Sequence, residues 1–183
     1  LPVIEASFER TARLLERVLS NRAYLFGGRP CLADFGLAGQ FAQLLSDPTP
    51  GAFLKANASS LVRWVDRMEN PDAQGEFITF AHAADDFAEF LRAEVASVYL
   101  PWMAANADAV AEDGLVRVQI DGRVFGQKPQ RYAAKALAEI QRKFQQVAAN
   151  EVLLELMSST GCREILEVAP DDEETEQNAS DES

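Results

Sequence analysis

Residues 24–41 read YLFGGRPCLADFGLAGQF, and they decide the fold. Gly27 and Gly28 let the chain turn before a fixed start to a helix. From Leu32 the apolar residues then fall at helical spacing, with Leu37, Phe41 and the Leu44/Leu45 pair in register with Asp34. With Cys31 as the N-cap, Asp34 is the third helical residue. Its carboxylate there reaches back to the N-cap backbone N–H and sits at the positive end of the helix dipole. Pro30 at N′ and Phe35 at N4 are spaced for a hydrophobic staple. A thiol is a poor acceptor, so Cys31 keeps the Asp half of this capping box and loses most of the hydroxyl half. The stretch aims one helix through the middle of a bundle. Its role is structural, not catalytic.

Outward from it, Ile4, Phe8, Leu15 and Leu19 carry a helical stripe upstream, with charged residues on the other faces. Downstream, the run Asp47, Pro48, Thr49, Pro50, Gly51 reads as a stop. Ser59 or Ser60 is placed to cap a third helix with the inner stripe Leu61, Trp64, Val65 and Met68. A break at Asn70–Gly75 precedes a helix over Ala84–Tyr99, where Asp85 and Asp86 read as first-turn acids. Pro101 kinks or restarts that helix, and it continues to Glu112. Val116, Val118 and Ile120 then alternate with polar residues, and Asp121-Gly122 predicts a type I′ hairpin. Pro129 opens a long helix through Val147, and a shorter one follows over Glu151–Met157. The fold class is an all-α helical bundle with one inserted β-hairpin. It reads as three parts: a bundle over 1–71, a helical extension over 76–168 with the hairpin at about 115–127, and an acidic tail over 169–183.

The formal charge of −12 is concentrated at the end, where the residues from Pro170 hold seven acids and no base. That composition reads as a solvated, disordered segment. The body is still acidic, which argues against nucleic acid or an anionic membrane as partner. No apolar run reaches the length of a membrane span, and nothing near Leu1 resembles a secretory signal. Cys31 and Cys162 form neither a metal cluster nor a disulfide framework, and a reduced cytoplasmic setting is the simplest expectation. His82 is the one histidine, which leaves neither a Ser-His triad with a spare base nor a multi-histidine metal site.

The stretch 24–41 resembles the segment that enters the central helix of the C-terminal domain of glutathione S-transferases. LVRWVDRMENP, at 61–71, is similar to the Leu-x-x-Trp helix that ends the common part of that domain. YLPWMAANADAV from Tyr99, and QKPQRYAAKAL from Gln127, resemble the C-terminal extension of a bacterial transferase-like subgroup. The resemblance implies a helical domain that supplies walls of the hydrophobic co-substrate pocket and much of a homodimer scaffold. It also implies a missing partner, the thioredoxin-like domain that binds glutathione and carries the catalytic residue. This segment is therefore expected to hold no catalytic residue and to bind neither cofactor nor metal. Glutathione is the co-substrate of the full family enzyme. The alternative reading is a non-enzymatic interaction module of the same fold.

For substrate binding, the sequence offers Tyr99, Trp102, Asn106, Lys128, Arg131 and Tyr132. They mix aromatic walls with amide and cationic groups around the Pro101 kink and the hairpin exit. The competing reading of the same residues is core plus rim. Cys31 reads as a substituted cap rather than a reactive thiol, and Cys162 as structural.

Overall fold

The computed structural model describes residues 2–167, and the acidic tail read at 169–183 lies outside them. The described chain is helical apart from a single two-stranded hairpin. It divides into two compact units, Leu1–Glu94 and Val95–Ser183.

In the first unit, α1 (Pro2–Leu19) buries Ala12, Leu15 and Leu19. The central helix α2 (Leu32–Ser46) buries Asp34, Ala38 and Phe41. α3 (Pro48–Asn57) adds Leu54, and α4 (Ser59–Arg67) adds Leu61, Trp64 and Val65. These side chains form one continuous core with Tyr24 and Leu25, in which the Phe41 and Trp64 rings meet edge to face at 6.3 Å.

Two readings of this unit are corrected by the structure, and one helix is added. The run from Asp47 to Gly51 stops α2, and Pro48 then opens α3 directly, a helix the sequence reading did not include. The reason is positional: a proline in the first turn lacks an N–H that would have had no helical partner anyway. Asp47 caps α3 by accepting from the Thr49 N–H at 3.0 Å. Neither Ser59 nor Ser60 caps α4. The N-cap is Ala58, and the carboxylate of Glu16, from α1, accepts from the N–H groups of Ser60 at 2.8 Å and Leu61 at 2.9 Å. A carboxylate at a helix start does the work of a local cap whichever element supplies it. In turn, α5 (Phe80–Phe90) begins earlier than periodicity suggested, because Thr79 caps it by accepting from the His82 N–H at 3.3 Å. Asp86 therefore lies in the helix body, where it pairs with Arg22.

Further pairs tie α1 to the helix that starts with α5. Arg17 meets Glu89, and the buried carboxylate of Glu94 takes Arg10 Nε and the Ser7 hydroxyl at 2.5 Å each. Glu94 lies in a π-helical stretch, Leu91–Tyr99, which ends where α6 (Leu100–Ala111) restarts at Pro101. Pro101 has no N–H to give back to the preceding turn, and the widened turns bring the chain to it.

In the second unit, β1 (Val116–Ile120) and β2 (Arg123–Gln127) pair antiparallel, with Val118 opposite Phe125. Asp121 and Gly122 take φ of 51° and 71°, as the type I′ turn requires. Val116 and Ile120 are buried, with β1 packed on α6. α7 (Arg131–Val147) packs on α6, burying Ala133, Leu137 and Phe144. α8 (Glu151–Thr160) ends at a left-handed Gly161, and the short α9 (Arg163–Leu166) follows. The Gln141 side chain donates to the Ile165 carbonyl at 2.8 Å and holds that end of the chain against α7.

The cross-helix cap makes a direct test. Glu16→Ala strips the acceptor from two amides at the start of α4 and is expected to cost about 1–2 kcal/mol. Ser59→Ala should stay within about 0.5 kcal/mol of the parent. Urea unfolding of the two variants checks the assignment.

Candidate functional site

The residues of the 24–41 stretch converge on one carboxylate. Asp34 is fully buried. Its Oδ1 accepts from the Leu25 N–H and from Trp64 Nε1, both at 2.9 Å, and its Oδ2 accepts from the Cys31 N–H at 2.9 Å. One side chain thus holds the incoming turn, the start of α2 and the indole of α4. The sequence reading had the Cys31 contact. It missed Leu25 and Trp64, although a buried indole N–H needs an acceptor, and Asp34 is the single charge in Leu32–Ser46.

Around this hub the glycines acquire a specific task. Tyr24 and Gly27 exchange backbone hydrogen bonds at 3.0 and 3.2 Å, and Gly28 N–H donates to the Glu76 carbonyl at 2.8 Å. Gly27 has φ of +135°, and a Cβ there would stand 2.5 Å from the Glu76 carbonyl oxygen. No side chain fits that approach. The Tyr24 hydroxyl accepts from the Asp72 N–H at 2.7 Å, so the segment after α4 is laced back onto the turn.

The Cys31 sulfur faces the Asp34 amide as a capping box requires, without a cap hydrogen bond of ordinary quality. Burial pushes its thiol above the usual value of 9.0, against the weaker lowering effect of the Asp34 and Ala33 backbone amides. The thiol is protonated at neutral pH. Burial does the same to Cys162. Neither sulfur has the depressed pKa of an activated nucleophile.

The opposite face of α2 is open. Leu32 is 88% and Phe35 55% exposed, and a Cβ on Gly36 or Gly39 would meet nothing within 4 Å. With Gln43, these residues lie one helical turn apart along a face that carries no charge. Pro30 is partly buried.

In the second unit, the six substrate-binding candidates separate into two groups. The Tyr99 and Trp102 rings lie 6.4 Å apart, Tyr99 is 42% exposed, and burial raises its hydroxyl above its ordinary value of 10.0. Asn106 is fully buried, and its amide is spent on the Gln130 backbone: Nδ2 donates to the carbonyl at 2.9 Å and Oδ1 accepts from the N–H at 2.7 Å. This clamps the start of α7 onto α6. Lys128, Arg131 and Tyr132 are exposed, Tyr132 at 85%. His82, itself exposed, lies 3.5 Å from Asp86 on α5. Among the described residues, no group of three or more His, Cys, Asp or Glu side chains is placed to hold a metal, and no helix is long and apolar enough to cross a membrane.

Residues 2–67 match the family model of the glutathione S-transferase C-terminal domain. No curated protein and no solved structure matches the chain. Residues 2–67, with the capping box, the Asp34 hub and Trp64, form a glutathione S-transferase C-terminal-like domain. The hairpin and the candidates from Tyr99 to Tyr132 lie beyond the matched segment.

Asp34→Ala leaves three N–H groups buried without an acceptor and is expected to cost about 3–5 kcal/mol. Cys31→Ser restores a hydroxyl cap and should stabilise by about 0.5–1 kcal/mol. Thermal melts of the two variants give opposite signs if the hub and the cap have these roles. A further check is alkylation of Cys31 in the native protein. The raised thiol pKa predicts a slow reaction at pH 7 that accelerates only as the pH passes 9.

Proposed function

We propose that this chain is the co-substrate-side part of a glutathione S-transferase-like protein, in which a thioredoxin-like domain supplies glutathione and the catalytic residue. The observation that carries this reading is the uncharged open face of α2. An open helix face without charge suits cover by another chain, and here Leu32 and Phe35 stand exposed beside two glycines. Such a face suits close contact with another domain, and it lies in the segment that matches the transferase C-terminal domain.

The chain's own residues fit the electrophile side rather than the thiolate side. Stabilising a glutathione thiolate needs a donor whose proton is readily shared, and burial moves the hydroxyl of Tyr99 the wrong way. The Tyr24 hydroxyl is engaged with the Asp72 amide. The Tyr99–Trp102 pair instead offers an apolar wall. The reaction this implies for the whole protein is attack of the glutathione thiolate on a hydrophobic electrophile, in a homodimer in the cytoplasm. Residues 1–183 alone do not catalyse it. The same open face equally favours a second reading, a non-enzymatic interaction module.

The test begins with the intact mass and N-terminal sequence of the natural gene product. Calorimetry with glutathione on that product, and on residues 1–183, follows. The transferase reading expects a longer product that binds glutathione and an isolated segment that does not. A product starting at Leu1, or a longer one that gives no binding heat, overturns it in favour of the interaction module.

A further inference from the structure

The cations of the second unit are unevenly placed. Between Val116 and Lys135 stand Arg117, Arg123, Lys128, Arg131 and Lys135 against one acid, Asp121, in a chain of formal charge −12. Arg117 lies opposite Gly126 in the hairpin. Strand alternation therefore puts Arg117 and Val124 on one outward face, with Lys128 following in the same phase. Val124 is 78% exposed. Arg131 and Lys135 are a helical turn apart on α7, both exposed. Elsewhere in this unit, cations are paired: Arg142 and Lys143 with Glu139, and Arg163 with Glu167. The Arg142 hydrogen bond, with Lys143 beside it, holds the Glu139 carboxyl down to about 2. By contrast, Arg117, Lys128, Arg131 and Lys135 have no carboxylate partner among the described residues.

The same unit continues into a segment of opposite sign. From Asp171 to Glu182 the sequence holds seven acids and no base. The last described residues before it are held to α7 by the bond from the Gln141 side chain to the Ile165 carbonyl. Lys135 and Arg131 lie about 9 and 15 Å back along α7 from Gln141, at roughly 1.5 Å per residue. Ile165 lies within α9, which ends at Leu166, and the four residue steps from Glu167 to Asp171 span at most about 14 Å. That length exceeds the axial distance to Lys135, and each further residue adds up to about 3.5 Å.

We propose that the acidic segment Asp171–Glu182 docks in cis along the exposed cations that follow one another from the hairpin into α7: Arg117, Lys128, Arg131 and Lys135. Each exposed pair contributes little alone. Several pairs together, at the effective concentration of a tethered segment, hold it there. Docked, the segment screens the cationic face from other anions and covers Tyr132. A separate acidic protein would have to displace it.

The experiment compares the full chain with one lacking Pro170–Ser183, using a fluorescent peptide of residues 170–183 as probe. The peptide is expected to bind the shortened protein, and to bind the full chain about tenfold more weakly because the face is already covered. Raising the salt from about 50 to about 500 mM should weaken binding at least about tenfold as the screening length shrinks. Arg131→Glu with Lys135→Glu should abolish it, whereas Arg142→Glu with Lys143→Glu should leave it nearly unchanged. Circular dichroism confirms that each variant is folded. Amide resonances of residues 117, 128, 131 and 135 should differ between the full and shortened chains at every protein concentration. Equal peptide affinity for both chains overturns the proposal and leaves the face to a separate acidic partner. Resonance differences that appear only at high protein concentration overturn it in favour of a second copy. Absence of both binding and resonance differences overturns it outright.

Discussion

The first unit depends on one buried carboxylate. Asp34 takes N–H groups from a turn, a helix start and an indole, all at 2.9 Å. A carboxylate without donors at that depth costs several kcal/mol, and so do the donors without the carboxylate. The arrangement is therefore close to all-or-none. It fixes where the Tyr24–Gly27 turn lies, and with it the path of residues 72–78, which bond back to that turn. It also fixes Trp64, against which Phe41 packs. The core forms around a polar point that has no freedom to move.

The same solution recurs at the other helix starts. Glu16 reaches from α1 to the first amides of α4, and Asp47 serves those of α3. Side-chain oxygens thus satisfy N-terminal amides that would otherwise be orphaned in a packed bundle. Much of the acidity of this unit has such an occupation. Glu94, Glu89 and Asp86 are likewise partnered, with Arg10, Arg17 and Arg22. Acidic charge here is structural material as well as a solvated surface.

Local signals made part of this legible from sequence. The capping box, the Asp121-Gly122 turn and the helical stripes each lie within a few residues of chain, where propensity and spacing act directly. What was not legible involved partners far apart in sequence. Nothing beside Ala58 announces that Glu16, on another helix, caps α4. Pro48 and Pro50 read as breakers because composition does not say which helical position a proline will occupy, and only the first turn tolerates it. Of the substrate candidates, Asn106 shows the same limit. An amide near aromatics suggests a ligand contact, but its position across from Gln130 turns it into a clamp between two helices.

These occupations bear on what the chain contributes to chemistry. A catalytic group needs an unspent lone pair or a proton of suitable pKa near the working pH. The Tyr24 hydroxyl, the Asp34 carboxylate and the Asn106 amide are spent on backbone groups. Cys31, Cys162 and Tyr99 are moved by burial away from neutrality. By contrast, the open surfaces that stand out are apolar on α2 and cationic along the hairpin and the start of α7. The first offers area without charge, and the second offers charge without a fixed partner. The reactive groups are thus consumed by the fold itself, and what remains exposed among the described residues is surface: an uncharged helix face in the first unit and unpaired cations in the second.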